Sequence, residues 1–572
     1  MQLSQSAARA TRAHGFWVGS LLVTCLAATL ANAQALPDAG AVRQQIEQQR
    51  REKLPDQSAP QFIAPAPLRS TGGASVTVAS FRFDGNTLLS HDELAQAVAP
   101  FLGRPLDFAG LQNAAIAVAN AYRDKGWVVR AYLPQQDVTI GLVTIQVIEA
   151  KLGAVRMEGD ATRISSKRLQ RIVEASQKPG DLVSVDALDR GLLLLNDLPG
   201  VTATARLAPG VNDAQTDLIV AANDGALVNG AVTADNAGSR FTGSQRVIAS
   251  ASLNDRIGFG DRTDALLLHS RGSDYVSLGY SMPFGSTGWR AGINGSHLSY
   301  DIVTKEFAAL DAHGTSNSVG LQGSYPLIRT RMKNLYLSLA TDEGQFKNES
   351  AGMTVTDYSV MSGTIGLRGN TFDGFWGGGV NTASLSIRQG KVDLSGSPNE
   401  MADSLTTRTN GSYRKYNLFV SRLQALNDRF SLFGSLQMQM ASKNLDSSEK
   451  LYLGGSQGVR AYPADEAGGS QGWLLNVETR AKLLQSLSAT AFVDWGHVTV
   501  NKDNDIAGAA SPNEITLKGA GVSVAYVAPF GLSISATYTR RIGSNPNATA
   551  DGADQDGTLK KNRFWLQASM PF

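Results

Sequence analysis

The chain has 572 residues, with 52 Lys+Arg against 50 Asp+Glu, 18% charged residues, 58 glycines and one cysteine. A mean hydropathy of −0.13 excludes a polytopic helical membrane protein, which needs several apolar runs of about 20 residues; the composition also excludes a disordered, collagen-like or disulfide-stapled chain. The near balance of charge argues against nucleic acid as a partner, but such averages suit a transmembrane β-barrel, in which every second residue is polar.

Arg9, Arg12 and His14 precede an apolar run at residues 16–30, and Ala31-Asn32-Ala33 follows as an A-x-A cleavage pattern. Residues 1–33 therefore read as a secretory signal peptide. Cys25 and the two surplus basic residues lie inside it. The expected mature chain is charge-balanced and thiol-free, which suits an oxidising periplasm and excludes cysteine nucleophiles and Cys-based metal sites. Residues 34–75 read as a polar helix, 40–54, followed by a Pro-rich linker, 55–67, that should be extended. The only large apolar residues of that helix are Val42, Ile46 and Leu54. It is expected to be either a solvated lead-in or a guest in a wet cavity.

Two small α/β units come next. Residues 76–151 read as a strand (76–83), helices (91–101 and 108–125) and strands (127–133 and 138–149). Residues 152–225 repeat the order with a strand (153–158), helices (165–175 and 185–198) and strands (201–208 and 216–222). The repeated β-α-α-β-β order is an internal repeat of architecture. From residue 226 to 572 the helical period disappears. Alternating segments recur between Gly, Ser, Asn and Asp clusters, as in Leu335-Tyr336-Leu337-Ser338-Leu339-Ala340. At about 22 residues per strand and connection this gives about 16 antiparallel strands, an even number that closes a barrel in lipid. In the last strand Phe564, Leu566, Ala568, Met570 and Phe572 share one face, and the terminal Phe572 reads as an assembly signal.

At this point the chain resembles the outer-membrane transporters of two-partner secretion, the TpsB family of hemolysin/hemagglutinin secretion and activation proteins. The stretch from Tyr122 through Gly126 and Arg130 to Asp137 is similar to the end of that family's first polypeptide-transport-associated (POTRA) domain. Leu195-Asn196-Asp197-Leu198-Pro199-Gly200 and Pro209-Gly210 resemble its second. Asp235-Asn236, Gly238 to Gly243, Leu253-Asn254 and Gly258 to Asp261 resemble its first barrel hairpins. Val459-Arg460-Ala461-Tyr462 resembles the V-R-G-[YF] tip of the long loop that folds into the barrel between strands 11 and 12. Phe492, Asp494 and Gly496 resemble the F-x-D-x-G element of strand 13.

The resemblance implies a membrane β-barrel preceded by two POTRA domains and a plug-like helix, located in the outer membrane with the POTRA domains in the periplasm. It implies an Arg460–Asp494 ion pair. Independently, alternation puts Val493 and Trp495 towards lipid and Asp494 towards the lumen, because a lipid-facing carboxylate is costly. Ala461 departs from the family glycine, so the loop tip is expected to turn differently. The implied function is a pore that recognises an unfolded TpsA-type hemolysin, adhesin or toxin through the POTRA domains and translocates it. The implied partners are that protein, outer-membrane lipid, and the barrel assembly machinery and periplasmic chaperones during biogenesis. The alternative is a barrel-assembly insertase of the same superfamily. No enzyme, cofactor or metal is expected. The two G-x-S-x-G matches, at 454–458 and 468–472, lack the strand–helix context of a nucleophile elbow, and the six histidines show no ligand spacing.

Overall fold

The computed structural model describes residues 36–49, 75–161, 163–212 and 214–572. The expected signal peptide and Pro-rich linker lie outside the described residues. The first described element is helix α1 (Ala39–Gln49).

In the first α/β unit, Ser90 opens helix α2 (His91–Val98) with a capping box. The Glu93 N–H donates to Ser90 Oγ (3.3 Å), and the Ser90 N–H donates to Glu93 Oε2 (3.0 Å). Asp107 caps helix α3 (Phe108–Asp124), accepting from the Gly110 N–H at 2.8 Å. The helices bury Leu94, Val98, Leu111, Val118 and Tyr122 against a three-stranded sheet. Its strands are β1 (Ser80–Asp84), β2 (Val129–Tyr132) and β3 (Leu142–Glu149), in the order β1-β3-β2. The single strand expected at 76–83 is divided. Val76–Thr77 pairs with Pro105–Leu106, whereas β1 pairs with β3. Between them the Ala79 and Ser80 N–H groups both turn to the Gly141 carbonyl.

The second unit holds strand β4 (Lys151–Glu158), helices α4 (Ser166–Glu174) and α5 (Val185–Asn196), and strands β5 (Val201–Pro209) and β6 (Gln215–Asp224). Its sheet order is β4-β6-β5. Residues 216–222 offer no open edge to a partner strand, because β6 is central and hydrogen-bonded on both sides. The edges are β4 and β5. Backbone bonds tie the two units together: Val128 N–H to Val183 O (3.1 Å), Val183 N–H to Ala150 O (2.9 Å) and Val185 N–H to Gly126 O (2.8 Å).

Residues Val228 to Pro571 form a closed barrel of sixteen antiparallel strands. Closure leaves no ladder group facing hydrocarbon. The sixteenth strand (Asn562–Pro571) pairs with the first (Val228–Asp235). Asn236 clamps this seam: it accepts from the Leu566 N–H (2.8 Å) and donates to the Phe564 carbonyl (2.9 Å). Phe572 adds two backbone bonds to Gly230, of 2.9 and 3.0 Å. Phe564, Leu566, Met570 and Phe572 are exposed on the outer face, where a lipid-facing strand needs them.

The second α/β unit docks on the rim of the barrel. Arg329 makes a two-bond pair with Asp197 (2.9 and 2.7 Å). Arg331 pairs with Asp189 at 2.6 Å. Arg163 reaches the Gly200, Gly225 and Asn254 carbonyls. Asn254 and Asp197, which carry the family resemblance, thus sit in the joint.

Candidate functional site in the barrel lumen

The eleventh strand (Phe430–Ala441) and the twelfth (Gln471–Lys482) are neighbours in the wall, and the loop between them, 442–470, runs into the lumen. Its two arms pair at Leu451–Tyr452 and Gly468–Gly469, which stiffens the neck. Val459, Ala461 and Tyr462 are fully buried and pack with Leu451, Leu453, Leu474, Val498 and Leu517. The apolar residues of the tip therefore hold the loop on the inner wall, and Arg460 is the polar group they carry.

On the thirteenth strand (Leu487–Thr499), Phe492, Asp494 and Gly496 face inward and are buried, while Val493 (51% exposed) and Trp495 (41%) face outward. Arg460 Nη2 lies 2.6 Å from Asp494 Oδ1, and Arg460 Nε lies 2.9 Å from Asp494 Oδ2. The Arg460 backbone N–H also donates to Oδ2, at 3.0 Å. This is the two-pronged geometry that fixes the orientation of a guanidinium as well as its position. The guanidinium carbon sits 3.4 Å from the Phe492 ring centroid, a desolvated cation–π contact.

Further residues complete the site. Asn476 Nδ2 donates to Asp494 Oδ1 (2.9 Å) and Arg460 Nη1 to Glu478 Oε1 (2.9 Å). The Trp565 indole N–H donates to the Arg460 carbonyl at 2.8 Å, so the loop tip touches the closing strand as well. Asn476, Glu478 and Trp565 were missed from sequence. Asn476 and Glu478 share the inward face of one strand, a period-two signal that marks a polar lumen without naming a partner.

The tip of this chain turns without needing a glycine at position 461. Ala461 stays out of the left-handed region and is fully buried. Across from it, on the fourteenth strand (Glu514–Val527), Gly519 pairs with Asp494. A Cβ on Gly519 would lie 2.6 Å from the Ala461 methyl. The alanine methyl thus fills space that a glycine in the wall leaves open. Gly496 does the same for the other arm: a Cβ there would lie 2.9 Å from Leu453 and 3.0 Å from Val459.

Helix α1 also lies in the lumen. Of the two expectations, solvated lead-in or guest in a wet cavity, it is the guest, and the wall gives it an apolar seat. Ala39, Val42 and Ile46 are buried in a nest that includes Phe241, Leu298, Tyr300, Phe346 and Tyr358, and Arg43 stands 5.6 Å from the Phe346 ring centroid. Two large apolar residues suffice because the wall supplies the aromatic surface. The polar face is bonded to the same inward loop: Gln44 and Gln48 each donate to the Lys450 carbonyl at 3.1 Å, and Ser447 Oγ donates to Asp38 at 2.7 Å. A cavity of about 260 Å³ remains between α1 and the wall, lined by residues including Arg43, Glu47, Arg388 and Glu449.

The two G-x-S-x-G stretches fall in the same loop. Ser470 donates to the Val500 carbonyl and accepts from the Leu445 N–H, a structural role. Among the described residues no group of three or more His, Cys, Asp or Glu is placed to hold a metal.

Comparison with known proteins follows the same lines. The family model described as haemolysin secretion/activation protein ShlB/FhaC/HecB matches residues 214–524, and a ShlB-type POTRA domain matches residues 76–150. The heme/hemopexin transporter protein HuxB of Haemophilus influenzae is 26% identical over 94% of this chain and 95% of its own length. The outer membrane transporter CdiB of Dickeya dadantii is 23% identical over 78% of this chain and 81% of its own. Among solved structures, CdiB from Escherichia coli superposes with a TM-score of 0.69 at 21% identity, covering 94% of this chain and all of that one. BamA from Haemophilus ducreyi, lacking POTRA domains 1–3, gives 0.54 at 15% identity over 87% of this chain and all of that one.

Proposed function

We propose that this chain, which belongs to the haemolysin secretion/activation protein family ShlB/FhaC/HecB, is an outer-membrane pore that recognises an unfolded TpsA-type exoprotein through its POTRA domains and passes it to the cell surface. The observation that carries this reading is a closed sixteen-strand barrel whose lumen holds a helix and a loop. Both occupy the path that a translocating chain would need. The loop is continuous with wall strands at both of its ends, whereas the helix belongs to no wall strand and is seated by a small apolar face and hydrogen bonds. It is therefore able to leave without unfolding the barrel.

In this mechanism the periplasmic units capture the exoprotein in an extended form. The edge β5, and β4 beyond Leu152, where residues 180–182 no longer cover it, offer main-chain groups for β-augmentation. The Arg460–Asp494 pair sets where the loop tip rests, and the α1 helix closes the resting pore. Folding of the exoprotein outside supplies direction, since no phosphate-binding loop is present in the sequence. A barrel-assembly insertase is the alternative; a helix seated in the lumen favours transport, because an insertase has no chain to gate through its own pore. We read no catalytic role in the chain.

Conductance in planar bilayers tests the reading. Removal of residues 39–49 should raise single-channel conductance several-fold over the intact chain. A pore no more open than the intact one would refute the role given to α1.

A further inference from the structure

Cations on the outer face of a barrel are costly in hydrocarbon and need a counter-charge. On the outer halves of the strands most of them have a partner in the chain. Lys347 pairs with Glu349 (2.9 Å) and Lys391 with Asp393 (2.9 Å), while Arg414 has a neutral acceptor, Gln389 (3.0 Å). Lys518 and Arg540 differ. Lys518 pairs in register with Trp495, and Arg540 with Ala520, which itself pairs with the lipid-facing Val493. Both side chains therefore point outward, and both residues are exposed. They stand on adjacent strands, the fourteenth and the fifteenth (Ser533–Arg541), two register positions apart. Among the described residues neither forms an ion pair with a carboxylate; the neighbouring Arg541 points inward to Asp554 (2.9 Å).

Their surroundings mark the membrane level. Lys518 Nζ stands 4.7 Å from the Trp495 ring centroid, and Trp495 meets Trp473 edge to face at 5.3 Å. Paired tryptophans on a lipid-facing surface lie at the headgroup boundary. This end of the strands leads into the loops remote from the docked α/β unit, so the boundary is that of the outer leaflet. An ammonium and a guanidinium spaced across two strands at that depth suit one doubly charged oxyanion, with the guanidinium supplying parallel hydrogen bonds.

The geometry points to a lipid site: Lys518 and Arg540, backed by Trp495, bind the phosphate of a phosphorylated glycolipid of the outer leaflet. Asp494 and Gly519, which face the loop tip, lie on the inner face of the thirteenth and fourteenth strands, so the bound lipid braces the wall behind the loop tip.

The test uses the full chain in nanodiscs of phosphatidylcholine doped with lipid A, with bound lipid counted by native mass spectrometry. The intact chain should retain lipid A and not its dephosphorylated form. Lys518→Gln/Arg540→Gln should lose about tenfold in retained lipid, the scale of a lost charge-assisted contact, while Lys391→Gln should retain it. Equal retention by the intact chain and the double variant would overturn the proposal. So would equal retention of lipid A with and without its phosphates, a comparison that needs no variant. Equal retention of phosphatidylglycerol would replace a specific site with general membrane charge and also count against it.

Discussion

Asp494 is the residue on which the loop seat converges. It accepts three hydrogen bonds from Arg460 and one from Asn476 while fully buried. Breaking a buried pair costs about 3–5 kcal/mol when the remaining charge is unmatched; Glu478, still 2.9 Å from Arg460, keeps the loss below that ceiling here. Asp494→Ala should therefore release the loop tip and abolish secretion, with the barrel still migrating as a folded, heat-modifiable band in electrophoresis. Normal secretion from a normally assembled barrel would leave the pair without a mechanistic role. Ala461 and Gly519 form a second unit. Gly519→Ala should push the loop off the wall, with an overpacking cost of about 1–3 kcal/mol. Ala461→Gly should restore the seat in the double variant but change little alone. Protease accessibility of residues 453–467 measures this, and a failure of rescue would show that the two methyl positions do not compete. The period-two reading placed Phe492, Asp494 and Gly496 on one inward face correctly, because alternation in a strand is fixed by local geometry. Trp565, Asn476 and Gly519 were not legible, because they come to Arg460 and Ala461 from other strands.

Among the elements, β3 of the first unit ends in a titratable anchor. Burial opposes the Glu149 charge, but the Thr87 hydroxyl, the Leu88 and Thr87 N–H groups and the Tyr122 hydroxyl all donate to it. The net effect holds its carboxyl below the ordinary 4.5. A carboxyl with a depressed folded pKa contributes stability that is fully present above its unfolded value and is lost as pH falls through the folded one. The first unit should thus weaken in acid below about pH 4.5, the unfolded carboxylate value. Glu149→Gln should flatten that part of the profile, as read by hydrogen exchange of 80–84 and 142–149. The β-α-α-β-β order of both units was legible in the sequence, and Ser90 and Asp107 cap two of the helices it places. The division at Val78–Ala79 did not, because both halves are extended and only their different partners separate them. Likewise, strand alternation cannot show which strand is central; β6 became an interior strand through its pairing alone.

For the molecule as a whole, the rim contacts decide how the periplasmic units hang from the barrel. The Arg329–Asp197 and Arg331–Asp189 pairs are partly buried at this joint. The Asp189 carboxyl is raised by burial in spite of Arg331, so this pair orients the joint more than it stabilises it. Asp197→Ala with Asp189→Ala should loosen the docking and increase cleavage near residues 225–228 several-fold in limited proteolysis, while each part stays folded. An unchanged cleavage rate would mean that the backbone contacts of Arg163 suffice. The sequence by itself determined the membrane class, the number of strands, the order of the small units and the inward face of strand 13. These are local properties, written in periods, turn residues and the outer apolar face of the last strand. Only the tertiary structure decided that a helix with two large apolar residues has a seat, and that an alanine fits the loop tip against a glycine of the wall. It also decided which strand edges are free and which outward cations lack a partner. Each of these depends on surfaces contributed by residues far apart in the chain, and no local pattern records them.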